Sequence, residues 1–239
     1  MSDRVLFVGD VVTVDAVGSR AEAVLVVDGR IAAVGSEAEV RAVAGAQGGA
    51  EGGSHDSGDA GAGLRVVRVA EGAVMLPGFV EAHGHPSDSA VVLSRFMVDI
   101  RPVTLARADE VWAAIRQGVA ERPDGAYFNG WDGLLQTGLT APTIDELDEV
   151  GGATPVVILH NSGHVAYFNR AAARQAGVTK ETPDPPGARW GKDARGELDG
   201  KAYETGAVFT IVGPTLATAG AALPELLGTY LASLNAVGI

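Results

Sequence analysis

Three apolar runs that each end in a polar cluster constrain this chain more than any other feature of it. Val74–Pro86 (VMLPGFVEAHGHP) ends in His83 and His85, and Ala126–Trp131 leads into Gly130-Trp131-Asp132. Pro155–Leu159 (PVVIL) leads into His160-Asn161-Ser162-Gly163-His164. A short continuous apolar run is the pattern of a strand covered on both faces. Between the runs, Ala108–Val119 has helical spacing at Val111, Trp112, Ile115 and Val119, and Pro123-Asp124-Gly125 turns. Thr143-Ile144-Asp145-Glu146 has capping-box spacing and opens a helix to about Val150. Strands alternating with helices, with polar residues at the C-terminal strand ends, predict an α/β barrel. In a barrel the chemistry lies on that face.

The first run carries the sharpest chemical signal. If Phe79–His85 is extended, side chains alternate faces and His83 and His85 project from the same side. Two imidazoles at the end of a buried strand can hold one divalent metal ion. The same pair also fits surface decoration or two hydrogen-bonded strand-end residues. Cysteine is absent, so there is no disulfide framework and no thiolate site, and a metal must use His, Asp, Glu or a modified lysine.

The chain is 46% hydrophobic and 20% charged, which suits a folded protein rather than a disordered one. Eighteen Lys and Arg against 30 Asp and Glu give a net charge of −12, a poor match for nucleic acid or an anionic membrane. The N-terminus lacks the apolar core of a signal peptide and no run reaches membrane-spanning length, so a cytoplasmic protein is expected.

Ahead of the histidines lies a small β-rich module. Arg4–Val8 and Val11–Val14 read as strands joined at Gly9-Asp10. Ala23–Val27 and Arg30–Val34 flank Asp28-Gly29, the signal for a two-residue hairpin turn. Ser36-Glu37-Ala38-Glu39 has capping-box spacing and starts a helix through about Val43. Gly45–Gly63 has no periodicity and too little apolar surface to offset its ordering entropy, so it reads as a flexible loop with His55 unimportant in it. Leu64–Val69 resumes a strand.

Beyond His164, a helix over Asn169–Ala176 is closed by Gly177. Thr182–Gly200 is rich in Pro, Gly and charge and reads as a loop over a site, and Lys201–Thr210 returns to apolar character. Leu223–Asn235 is helical with Pro224 in its first turn. A full barrel takes about 250 residues, more than follow His83, and Ala236-Val237-Gly238-Ile239 has the character of a turn into a further strand. The sequence therefore reads as cut short.

LPGFVEAHGHP resembles the Pro-Gly-Phe-(Ile/Val)-Asp-x-His-x-His signature of the amidohydrolase superfamily, with Glu81 at the usual aspartate. HNSGHVAYFNRAA, PDPPG and GELDGKAYE are similar to the amidohydrolase 3 branch, which holds YtcJ-like and N-substituted formamide deformylase-like proteins. The resemblance runs from Ala23 to the last helix, apart from the glycine-rich insertion. It implies a β-sandwich built from both chain ends around a metal-binding (β/α)8 TIM-like barrel. Residues 1–75 would be the first part of the sandwich and 76–239 the first part of the barrel. It also implies that His83 and His85 bind zinc or a related divalent ion, with two further histidines and an aspartate on later strands.

Glu204 is the nearest match to the family glutamate and the candidate third metal ligand, with an exposed strand-end carboxylate as the plain alternative and carboxylated Lys201 less favoured. His164 is the candidate acid–base group facing the substrate, or else a structural histidine. Trp131 and Asp132 are candidate pocket walls, although a tryptophan is equally at home in a core. Asn161 is a candidate oxyanion donor or a turn residue. The resemblance implies metal-activated water attacking a small-molecule amide or N-substituted formamide, a non-peptide C–N bond. The alternative is a non-catalytic fragment whose open barrel edges favour association into an oligomer.

Overall fold

A computed structural model describes residues 3–46 and 63–239, so the expectation for Gly45–Gly63 and His55 falls largely outside the described residues. The chain divides into two compact units, residues 1–80 with 238–239, and residues 81–237.

The first unit holds β1 (Arg4–Val12), β2 (Arg20–Val27), β3 (Arg30–Gly35), α1 (Glu37–Ala46), β4 (Leu64–Arg68) and β5 (Val74–Met75). Its sheet runs β3-β2-β1-β4, with β5 also paired to β1. The Asp28-Gly29 turn forms as expected: both residues have positive φ, 49° and 75°, and Val27 pairs with Arg30. The Ser36 capping box also forms, with Ser36 N donating to Glu39 Oε2 at 3.1 Å and Glu39 N to Ser36 Oγ at 3.3 Å. Gly9-Asp10 does not separate two strands. It is an irregularity inside one continuous β1, between Val8 and Val11, where a Cβ on Gly9 would lie 2.5 Å from Val69 Cβ. Leu6, Val8, Ala23 and Leu25 on the sheet bury against Val40 and Ala44 of α1.

The second unit opens with α2 (Pro86–Val92), β6 (Val98–Asp99), α3 (Ala108–Glu121), β7 (Ala126–Trp131), α4 (Ile144–Gly151), β8 (Val156–His160) and β9 (Val165–Phe168). It continues with α5 (Arg170–Gln175), β10 (Arg189–Lys192), β11 (Leu198–Tyr203), α6 (Glu204–Gly220) and α7 (Leu223–Asn235). The sheet order is β10-β11-β9-β8-β7-β6. β6, β7 and β8 are parallel, with α3 and α4 as crossovers, whereas β9, β10 and β11 add antiparallel.

Burial follows the two-residue period of the strands. Ala126, Phe128, Val156 and Ile158 face Val111, Ile115 and Leu147 of α3 and α4, while Tyr127 and Val157 join Val208, Ile211 and Val212 of α6. Both faces of the parallel strands are covered, which is why their sequences are continuously apolar. Truncating a side chain such as the fully buried Phe128 would cost about 3–5 kcal/mol.

Two expectations are corrected. Phe79–His85 is not a strand: only Val74–Met75 pairs, and the chain reaches His85 through irregular backbone. An apolar run becomes a strand only where a neighbour completes its ladder, and among the described residues none does so here. Thr182–Gly200 is not a plain loop, since it contains β10 and the start of β11. Lys201–Thr210 crosses from the end of β11 into α6. That helix is apolar on most of its faces, so it shows no helical period in the sequence. Among the described residues no single helix is long and apolar enough to cross a membrane.

Candidate functional site

The C-terminal ends of β7 and β8 and the start of α2 surround an open cavity of about 490 Å³ within the second unit. Its polar rim includes His85, Asp88, His160, Asn161 and His164, and its apolar floor includes Met97, Leu159, Val208 and Val212.

His85 caps α2: its carbonyl accepts Ser89 N at 2.8 Å, and Pro86 occupies the first turn, where its missing N–H costs nothing. The rings of His83 and His85 stand edge to face with centroids 5.2 Å apart, so the two imidazoles do fall side by side without a strand to hold them. Glu81 Oε1 accepts His83 N at 2.8 Å and fixes the backbone between them. Both histidines are exposed.

His160, the last residue of β8, and His164, in the turn to β9, are the other two imidazoles among the described residues. Gly163 supplies the left-handed turn between them at φ 74°. Ser162 N donates to His160 Nδ1 at 3.0 Å. A backbone N–H can only donate, so that nitrogen holds a lone pair and the proton of the neutral ring sits on Nε2. His164 has the opposite arrangement. Its Nδ1 lies 2.7 Å from Glu204 Oε2, and a carboxylate only accepts, so Nδ1 carries a proton.

Glu204 is held on both sides of this contact, because its own N–H donates to the carbonyl of His164 at 2.8 Å. It begins α6 with φ 64°, a left-handed conformation that costs a non-glycine residue about 1–2 kcal/mol. The ion-pair partners remain 63% and 55% exposed. An exposed pair contributes about 0–1 kcal/mol, so the contact does not offset that strain through stability alone.

Trp131 is 1% exposed and packs edge to face on Trp112, with centroids 5.5 Å apart, and against Tyr167. Burial first, then the charges of Tyr203 and Asp132, raises the Tyr167 phenol above its ordinary value. Asp132 is 8% exposed; its Oδ1 accepts Leu134 N and Leu135 N, and its Oδ2 accepts Asn161 Nδ2 at 3.3 Å. Neither residue borders the cavity, in contrast to the pocket-wall expectation. The β7 end points Trp131 into the core and turns Asp132 onto its own loop. Asn161 does border the cavity.

Nor do His83, His85 and Glu204 gather: among the described residues no group of three or more His, Asp or Glu is placed to hold a metal ion. Glu204 engages His164 instead. Imidazole nitrogen is a donor type that suits zinc, but a catalytic zinc site takes about three protein ligands, so two imidazoles alone do not complete one. The sequence places His160 at i,i+4 spacing from His164, but Asn161-Ser162-Gly163 between them is poor helix, so spacing alone gives it no role. Its signal was an imidazole at the C-terminal end of a fully apolar strand.

Comparison with known proteins gives these residues a context. The chain is 34% identical over 203 residues to "N-substituted formamide deformylase" of Arthrobacter pascens, covering 84% of this chain and 33% of that protein. It is 32% identical over 144 residues to "Exoenzymes regulatory protein AepA" of Pectobacterium carotovorum subsp. carotovorum, covering 56% of this chain and 30% of that protein. The chain thus spans about a third of the length of the curated relatives it matches. Its fold is similar to that of an uncharacterized metal-dependent hydrolase from Pyrococcus furiosus, with a TM-score of 0.59 at 18% identity over 99% of this chain and 43% of that one. The Amidohydro_3 model, described as the amidohydrolase family, matches residues 67–239. The chain belongs to the amidohydrolase family.

Proposed function

We propose that this chain forms part of a metal-dependent hydrolase acting on non-peptide C–N bonds of small amides or N-substituted formamides. The observation that carries the reading is the cavity rimmed by His85, His160, Asn161 and His164, in a chain of this family. His83 and His85 would hold the divalent ion, zinc by the nitrogen character of the donors. When bound, such an ion supplies an acidified water and a polarised carbonyl. His164 Nε2 takes a proton during attack and returns it to the leaving nitrogen. One N–H of the Asn161 amide is engaged by Asp132, and its second N–H is available to a carbonyl oxygen. The apolar floor excludes water from one side of the substrate. The β1–β4 sheet and the βα alternation support reading residues 1–75 as part of a composite sandwich and 76–239 as part of a barrel.

The test is metal analysis of the purified chain beside His83→Ala and His85→Ala, together with an assay on an N-substituted formamide. Stoichiometric divalent ion lost in both variants supports the reading; no bound ion in the parent chain overturns it. A second reading, metal binding without turnover, is favoured by the absence of a three-ligand group among the described residues. Bound metal with no hydrolysis selects it.

A further inference from the structure

We infer that Asn129 is the recognition residue at the inner end of the cavity, its side-chain amide donating one hydrogen bond to a small neutral carboxamide ligand and accepting another from it. The inference deepens the proposed site and rests on that reading for the ligand being an amide.

Asn129 borders the cavity and is 6% exposed. The other buried lining residues, Val91, Met97, Val208 and Val212, are all apolar, whereas His85, Asn161 and His164 on the rim are exposed. The Asn129 carbonyl accepts Ile100 N at 2.9 Å, but its side-chain amide has no hydrogen-bond partner among the described residues. Two other buried amides show what the rule demands. Gln136 bonds three backbone groups, and Asn169 accepts Val156 N and Ala172 N while donating to the Thr154 carbonyl. A buried amide left unpaired costs the desolvation of both its donor and its acceptor, so an exception calls for a partner. Nor is the Asn129 amide sealed away. Among the described residues Arg4 Nε is the unpartnered side-chain atom that is fully enclosed, so the Asn129 amide opens to the cavity.

An irregularity in β7 uncovers this amide. Asn129 pairs with Leu159 and Trp131 with His160, so Gly130, at φ 114°, is one residue too many for the ladder. Tyr127 packs with α6 and Phe128 with α3 and α4, so alternation puts Asn129 on the α6 face, where the cavity lies. Strict alternation would put Trp131 there too. The extra residue turns the indole to the face of Phe128 instead. Asn129 is therefore the last β7 side chain on the cavity face, with no indole over it.

A carboxamide presents a C=O and an N–H along one edge. Its complement in a neutral ligand is an amide whose own C=O and N–H share an edge, as in a primary amide. A ketone or ester fills half of that pattern, and a carboxylate sets an oxygen against the Asn129 oxygen. A site built to hydrogen-bond both groups rejects the analogue that lacks one of them.

The test is calorimetric titration of the full 239-residue chain with benzamide and with acetophenone, in which a methyl group replaces the amide NH2 at similar size. We expect benzamide to bind at least about tenfold more tightly, and Asn129→Leu to remove that preference. Asn129→Ala takes its place should leucine overfill the site. Equal affinity for the two ligands in the parent chain, or binding of neither, overturns the inference. A preference that survives the substitutions assigns Asn129 to the fold and overturns it as well. A chain that prefers benzamide yet binds no metal ion sinks the hydrolase reading and leaves this one standing. Bound metal without the preference does the reverse.

Discussion

Gln136 Oε1 accepts the backbone N–H of Asp132 at 2.8 Å, inside a loop where Gln136 itself is 1% exposed. The same amide donates to the carbonyls of Ile100 and Leu105 at 2.7 and 2.9 Å, so one side chain ties the end of β7 to the segment that follows β6. Replacing it with leucine keeps the volume and leaves two buried backbone groups and one partly buried one without this partner. Gln136→Leu should therefore lower stability by about 3 kcal/mol. Urea unfolding measures this, and a loss below about 1 kcal/mol would mean water replaces the amide.

Two glycines with positive φ should respond very differently to alanine. At Gly130, φ is 114° and a Cβ would lie 2.6 Å from the Arg101 Cα, so backbone must move. At Gly163, φ is 74° and nothing lies within 4 Å. We expect Gly163→Ala to cost about 1–2 kcal/mol from conformation alone, and Gly130→Ala to exceed about 4 kcal/mol. Thermal unfolding of the pair gives the comparison, and equal losses would contradict it.

Acid should destabilise the fold through a small set of carboxylates. The Ser19 hydroxyl and then its backbone N–H lower Asp15 to about 2; Arg101 lowers Asp99, and the Thr143 backbone and hydroxyl lower Glu146. Each has a folded pKa below its unfolded value, so its contribution is complete above the ordinary values of 3.8 and 4.5 and is lost as pH falls through the folded pKa. The melting temperature should hold above about pH 4.5 and fall towards about pH 2. Asp15→Asn should flatten the lower end of that fall, and an unchanged slope would show that the Asp15 turn opens before the protein does.

Much of the local structure was legible because it rests on contacts within a few residues. Thr143 caps α4 with Glu146 as its spacing implies, with the Thr143 N–H donating to the Glu146 carboxylate at 2.8 Å. Asn169 caps α5 by accepting Ala172 N at 2.8 Å, and α7 spans Leu223–Asn235 as its pattern indicates. The elements that were missed depend on distant partners. β9 and β11 exist because each finds the other, with Tyr167 paired to Lys201 and Val165 to Tyr203. Short strands and a helix apolar on most faces carry no period that announces them.

The candidate site divides along the same line. By itself the sequence determined that one residue separates His83 from His85 after an apolar run, that the Pro155–Leu159 run leads into His160 and His164, and that no thiolate is available. Only the tertiary structure decided that Trp131 enters the core and that Glu204 meets His164, 40 residues away in the chain. Spacing along a chain controls which faces neighbouring side chains share. It does not control which distant donor meets which acceptor, because that choice is made by the ladder pairing β9 with β11, which brings the residue after Tyr203 level with the residue before Val165.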